Sequence, residues 1–229
     1  MTIDMKRIIT GLTLGLAALC FVFLTSNFIF QLGLYGILII SSIELLRQKN
    51  KNNIFVWIIF VMVLVNILLV KTITEDFSRS FFFTVLLISV LTDVLALVFG
   101  KLIGHIKIVP TISPNKTLEG FISGLFLPAT LLVTLSFFVL EKGILNSDTF
   151  SKYLYLDAMI FEWGYFSSFM IITLCSLASI FGDLVASKAK RLMNVKDFSN
   201  LLPGHGGILD RVDSHLCCIP IFVSSNIFL

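Results

Sequence analysis

Seven apolar runs, at about 8–25, 28–46, 54–70, 81–100, 121–140, 166–185 and 208–229, divide the chain, with short polar segments between them. Most approach the ~20 residues that a helix rising ~1.5 Å per residue needs to cross ~30 Å of hydrocarbon. The pattern predicts an all-α protein: a polytopic transmembrane helical bundle of about seven spans. The last run is the least regular, because Asp210, Arg211 and Asp213 occupy its first turns; with those turns at the interface the piece can still span. The first run follows Lys6-Arg7 as a secretory signal would. It is longer than a signal core of roughly 7–15 residues and lacks a small-x-small cleavage site, so it is expected to remain as a first helix.

Charge orients the bundle. With the N-terminus in the cytoplasm, Lys6, Arg7, Arg47, Lys49, Lys51, Lys101, Lys107, Lys116, Lys188, Lys190, Arg191, Lys196 and Arg211 all fall inside, thirteen of the seventeen basic residues. Lys71, Arg79, Lys142 and Lys152 fall outside. Because Lys and Arg bias sets orientation, this split supports seven spans with the C-terminus outside. At 57% hydrophobic and 14% charged, the 229 residues are far from the roughly 45–50% apolar, 25% charged mix of soluble domains. A net charge of +3 gives no reason to expect a nucleic-acid partner. Cys20, Cys175, Cys217 and Cys218 lie in apolar runs without a Cys-x-x-Cys pair and read as small buried hydrophobes. The outer segment 141–165, acidic and aromatic, reads as an interfacial belt. No repeat or long linker breaks the chain, so residues 1–229 form a single integral membrane domain.

Three polar features do not fit a plain bundle. Asp93 lies inside the fourth run, where a carboxylate costs about 2.5–3.5 kcal/mol on insertion scales and so faces a cavity or a partner. The inner loop Ile112-Ser-Pro-Asn-Lys-Thr-Leu-Glu-Gly120 puts Ser113, Lys116 and Thr117 where a phosphate could be gripped, or equally makes a solvated loop with one lysine. The third feature starts at Asp183. If the sixth helix continues inward, Asp183, Ser187 and Lys190 recur at i, i+4 and i+7 on one face. Lys196-Asp197 follows, then Leu202-Pro-Gly-His-Gly-Gly207, a turn whose glycines let backbone N–H groups approach an anion. Asp210 and Asp213 then present two carboxylates at i and i+3. Carboxylates beside Lys and Arg, joined by a glycine turn, suit magnesium-assisted phosphoryl chemistry, in which oxygen ligands hold a hard cation that also binds substrate phosphates. His205 reads either as a phosphate donor or as a satisfied loop histidine.

Gly182-Asp183, Ser187, Lys190-Arg191, Lys196-Asp197, Leu202-Pro-Gly-His-Gly-Gly207 and Asp210-Arg211-Val212-Asp213 resemble the signature of the phosphatidate cytidylyltransferases, or CDP-diacylglycerol synthases. Asp93-x-x-Ala96-x-x-x-Gly100-Lys101 and Ser113-Pro-Asn-Lys-Thr117-x-Glu119-Gly120 resemble two further pieces of that family in the same order. The likeness covers roughly 81–229, so that stretch reads as the catalytic core and 1–80 as variable N-terminal spans. The chain departs from the family at Leu97, commonly Tyr; at Asn115, often Lys; and at Ala186, often Glu.

The resemblance implies transfer of a cytidylyl group from CTP to phosphatidic acid, giving CDP-diacylglycerol and pyrophosphate. It implies Mg2+ carried by Asp183 and Asp210, with Asp93 and Asp213 lining or supporting the site. Lys116, Lys190, Arg191, Lys196 and Arg211 would hold phosphates. Ser113, Thr117, Ser187, His205, Gly206 and Gly207 would complete substrate binding. A second, monovalent cation and a homodimer are compatible with the family. The expected location is a bacterial-type inner membrane with the site facing the cytoplasm. A CTP-dependent lipid-alcohol kinase, a non-enzymatic anion carrier and an inactive paralogue are the competing readings.

Overall fold

The computed structural model describes residues 5–48, 53–142, 153–202 and 206–228. Among these, eight helices follow one another: α1 (Met5–Leu24), α2 (Asn27–Leu46), α3 (Ile54–Glu75), α4 (Arg79–Leu102), α5 (Leu118–Lys142), α6 (Leu156–Leu192), α7 (Leu209–Val212) and α8 (His215–Phe228). No strand occurs among the described residues; two isolated bridges, Lys107 with Thr117 and Leu202 with Gly206, tie loops. Five helices, α2 to α6, are long and apolar enough to cross a membrane. The chain is an integral membrane protein with an all-helical fold.

Local chemistry sets the boundaries. Asn53 and Ser78 stand in extended backbone and accept from the N–H groups of Phe55 (3.1 Å) and Phe81 (3.2 Å), which would otherwise have no partner in the first turns of α3 and α4. The last apolar run is not one helix. Asp213 Oδ1 accepts from Ser214 N at 2.9 Å, and the chain breaks there between the four residues of α7 and the fourteen of α8. At ~1.5 Å per residue α8 covers only about 21 Å. The sixth run, expected over 166–185, belongs to a longer element, α6, interrupted at Gly164, where φ is 77° and ψ 168°.

The segment 141–165 is accordingly more than a belt. Leu156, Met159 and Ile160 are buried, Tyr155 N donates to Thr84 Oγ1 at 2.9 Å, and the Tyr155 ring packs edge-on to Phe81 at 5.2 Å. Residues 143–152 of that segment lie outside the described residues. Cys175 and Cys218 are buried as expected and Cys217 is half-buried, whereas Cys20 is exposed on α1.

With lipid outside, burial of apolar surface gives little drive for helix association; close van der Waals fit provides it. The core joins Phe30, Phe81, Ile88, Ile172 and Phe222 from α2, α4, α6 and α8. The closest seam is between α4 and α5. A Cβ at Gly120 would stand 2.6 Å from Ala96 O and 3.1 Å from Gly100 Cα, and one at Gly124 2.9 Å from Thr92 O. Glycine is therefore required at Gly120 by the approach of the two backbones. Gly120→Ala is expected to separate the helices at a cost of about 1–3 kcal/mol, read as a lower thermal midpoint in detergent; an unchanged midpoint would show that the seam is slack. The seam matters because the loop between α4 and α5 carries Lys116 into the site.

Candidate active site at one end of the bundle

Because successive helices alternate in direction, the C-terminal ends of α2, α4 and α6 meet the N-terminal ends of α5, α7 and α8 at one end of the bundle. A cavity of about 870 Å³ lies there. Its polar wall includes Asp93, Ser113, Lys116, Thr117, Asp183, Lys190, Asp210, Arg211 and Asp213, which the sequence distributes over 120 positions. Ala96, Leu97, Phe121, Ile180 and Leu184 form an apolar wall from α4, α5 and α6.

Two ion pairs organise the polar wall. Lys116, brought in by the Ser113-Pro loop, pairs with Asp183 Oδ2. One turn further along α6, Ser187 Oγ donates to Asp183 Oδ1 at 3.4 Å, so the i, i+4 spacing expected from sequence is realised. Both partners of this pair stay accessible, with about a quarter of each side chain exposed (28% and 27%). The second pair is drier. Lys190 Nζ donates to Asp210 Oδ1 at 2.8 Å and lies 3.7 Å from Asp213 Oδ2, with Lys190 13% and Asp210 2% exposed. Removing one member of such a pair leaves a buried charge without its partner.

Asp210 also shapes the backbone. Its Oδ2 accepts from Phe198 N at 2.8 Å and from Gly207 N at 2.9 Å, folding the glycine-rich turn back over α7. Gly206 takes φ +81°, a conformation that disfavours a side chain, and a Cβ there would meet Asp210 Oδ2 at 3.1 Å. Asp93 is held from the other direction: Ser214 Oγ donates to its Oδ2 at 3.1 Å. The intramembrane carboxylate thus does face a partner and a cavity.

Other expected site residues stand differently. Arg191 lies outside the cavity lining; its Nε donates to Ile112 O at 3.1 Å and braces the loop that carries Ser113 and Lys116. Thr117 lines the cavity, but its Oγ1 accepts from Gly120 N at 3.2 Å and caps α5. Lys196 is exposed and Gly206 and Gly207 lie behind Asp210, none of them lining the cavity. His205 lies outside the described residues.

Asp197 and Lys101 stand in the quoted motifs but, like Ser214 and Lys107, have no role in the sequence reading; all four line the cavity, and Glu44 of the second run and Gln48 just after it were likewise given none. Ser214 was adjacent to the motif and carried no signal beyond that. Glu44 carried a clear one, since a carboxylate in an apolar run raises the question asked of Asp93.

Five basic side chains (Lys101, Lys107, Lys116, Lys190, Arg211) and five acidic ones (Asp93, Asp183, Asp197, Asp210, Asp213) line the cavity, so its lining is formally neutral. Hard carboxylate oxygens are the donor type that magnesium prefers. The donor set therefore fits a hard cation. Among the described residues no three His, Cys, Asp or Glu side chains are grouped as a metal-binding set, and Asp183 and Asp210 each pair with a lysine.

The model of the cytidylyltransferase family matches residues 47–228. A phosphatidate cytidylyltransferase of Staphylococcus haemolyticus is 40% identical over 134 residues, 57% of this chain and 43% of that protein. One from Staphylococcus saprophyticus is 41% identical over 132 residues, with the same coverage. The match thus spans less than half the length of these staphylococcal relatives. A phosphatidate cytidylyltransferase of Rickettsia prowazekii is 29% identical over 224 residues, 97% of this chain and 92% of that protein. With the family model matched across all but the first 46 residues and the last, and with Asp183, Lys190, Asp197, Asp210, Arg211 and Asp213 lining one cavity, the chain belongs to the cytidylyltransferase family.

Proposed function

We propose that the protein transfers a cytidylyl group from CTP to phosphatidic acid, giving CDP-diacylglycerol and pyrophosphate for phospholipid synthesis. The observation that carries this reading is the convergence of Asp93, Lys116, Asp183, Lys190, Asp210 and Asp213 on one cavity that also has an apolar wall. Such a cavity can take a polyanion and a lipid together. Relatives named phosphatidate cytidylyltransferase support it.

In this reading a phosphate oxygen of the lipid attacks the α-phosphorus of CTP. The bond from that phosphorus to the bridging oxygen breaks, and pyrophosphate leaves with the electron pair. The attacking oxygen is already anionic near neutral pH, so the site needs no strong base; it needs to hold two polyanions together. Lys116 and Lys190 neutralise phosphate oxygens, and Arg211 and Ser113 contribute from the rim. A magnesium ion held by Asp183 and Asp210, beside Asp93 and Asp213, would supply hard positive charge to the same oxygens. Arg191 and Thr117 act by holding the Lys116 loop.

Seven crossings with a cytoplasmic N-terminus complete the proposal, α1 and the α7–α8 segment together joining the five long helices. The clustering of thirteen basic residues on one side supports that orientation. The site then faces the cytoplasm of a bacterial inner membrane. Leu97 and Leu118, on α4 and α5 at the same end, are exposed and support lateral access from the inner leaflet. The core 81–229 carries the groups that meet substrate.

Tracing the label tests the reading. CTP labelled at the α-phosphorus is expected to transfer label to phosphatidic acid, and CTP labelled at the γ-phosphorus is not. Transfer of the γ label to diacylglycerol or a polyprenol would replace this reading with a kinase.

A further inference from the structure

The segment that bends back over Asp210 is gripped from its far side by α2, an element outside the catalytic core expected from sequence. Glu44, near the C-terminal end of α2, is buried, with 5% of its surface exposed. Its carboxylate accepts three hydrogen bonds, from Ser199 Oγ (2.6 Å), Ile208 N (3.0 Å) and Leu209 N (2.8 Å). One turn later Gln48 Nε2 donates to Phe198 O at 2.5 Å. The same short stretch is thus held twice: Glu44 of α2 takes Ser199, Ile208 and Leu209 and Gln48 just beyond α2 takes Phe198 O, while Asp210 takes the N–H groups of Phe198 and Gly207.

Gly207 supplies an independent observation. Its backbone is outside the left-handed region, so conformation alone would allow another residue. A Cβ there would nevertheless stand 2.6 Å from Glu44 Oε2 and 2.8 Å from Ser199 Oγ. A side chain at the second glycine of the Gly206-Gly207 pair would have to displace the carboxylate of Glu44 and the hydroxyl of Ser199, while the first glycine packs on Asp210. Glu44 therefore fits into the glycine motif, although it lies before the first residue that the family model matches.

We infer that Glu44 is a positioning residue: by fixing the backbone of 207–209 it sets Asp210 against Lys190, and so places the charge pair that faces the substrates. The inference rests on the cytidylyl-transfer reading for its effect on rate, and on contacts alone for the latch. A carboxylate accepting two backbone N–H groups and a hydroxyl defines the loop more tightly than apolar packing would, because a buried donor left unsatisfied is costly.

The test uses the full chain in liposomes. Glu44→Ala is expected to lower kcat about 10- to 100-fold, the range for removing a supporting partner of site groups, with the KM for phosphatidic acid unchanged. Glu44→Gln, which keeps the volume but replaces one acceptor by a donor, lowers kcat in the same direction and serves if the alanine variant does not fold. Gly207→Ala alone costs activity through its clash with the carboxylate. In the Glu44→Ala background its added cost falls to less than about twofold, because contacting residues do not act independently.

Losses that simply multiply would overturn the inference, as would wild-type kcat in both Glu44 variants. Amide hydrogen exchange separates this inference from the catalytic reading. In Glu44→Ala, exchange across 206–209 rises whether or not the wild type transfers cytidylyl groups. Unchanged exchange there removes the latch even if the enzyme is active. Faster exchange in a protein that shows no transfer leaves the latch standing and removes the catalytic reading.

Discussion

Asp183→Asn is expected to reduce CDP-diacylglycerol formation about 100- to 1000-fold, the scale of removing one preorganised charge-stabilising group, with little change in thermal midpoint. The two halves of that expectation come from the same geometry. Asp183 meets Lys116 at the cavity wall with both side chains partly exposed, so the pair adds only about 0–1 kcal/mol to stability. What the substitution removes is a carboxylate on which Lys116 and Ser187 converge at the cavity wall. Lys116→Met is expected to lower activity by a similar factor. The double variant should be little worse than either single one, because groups that act as a unit are not additive. Rates and midpoints of the three variants check this; multiplying losses would show that the two side chains serve separate steps.

Asp210→Asn is expected to damage both rate and fold. Asp210 accepts from Lys190 with one oxygen and from two backbone N–H groups with the other, and its side chain is 2% exposed. Neutralising it leaves Lys190 with Asp213 at 3.7 Å as its remaining carboxylate. A buried pair broken on one side costs about 3–5 kcal/mol, and Asp213 keeps this one near about 3. Thermal unfolding of the detergent-purified variant is expected to show that loss alongside one of at least about 100-fold in rate. A variant that is inactive yet as stable as the wild type would mean that Asp210 serves chemistry alone and that the 198–209 segment holds itself.

Much of this was legible in the sequence, for identifiable reasons. Apolar run length located the long helices because the bilayer imposes one length scale on all of them. Asp93 was conspicuous because charge in an apolar run needs a partner, and its partner, Ser214, lies immediately before α8. Helical spacing correctly put Asp183 and Ser187 in contact because that relation is local. What stayed hidden depends on contacts between distant segments. The same basic side chain reads identically whether it faces a phosphate or, as with Arg191, a backbone carbonyl 79 positions away. Thr117 carries a hydroxyl in either role, and only the position of Gly120 N assigns it to the helix cap. The last run was read as one helix because apolar content does not register a break at Asp213-Ser214 made by a side chain accepting from the backbone. Glu44 could have been singled out as Asp93 was, but its contact with residues 155 to 165 positions downstream could not.

The most direct measurement places the purified chain in liposomes containing phosphatidic acid, adds CTP and magnesium, and follows liponucleotide and pyrophosphate together. The expected result is equal amounts of CDP-diacylglycerol and pyrophosphate from the wild type, no liponucleotide when diacylglycerol replaces phosphatidic acid, and almost none from Asp183→Asn. A folded wild-type protein that binds CTP and magnesium but forms no liponucleotide, or an Asp183→Asn variant that forms it at the wild-type rate, would contradict the assignment of this cavity.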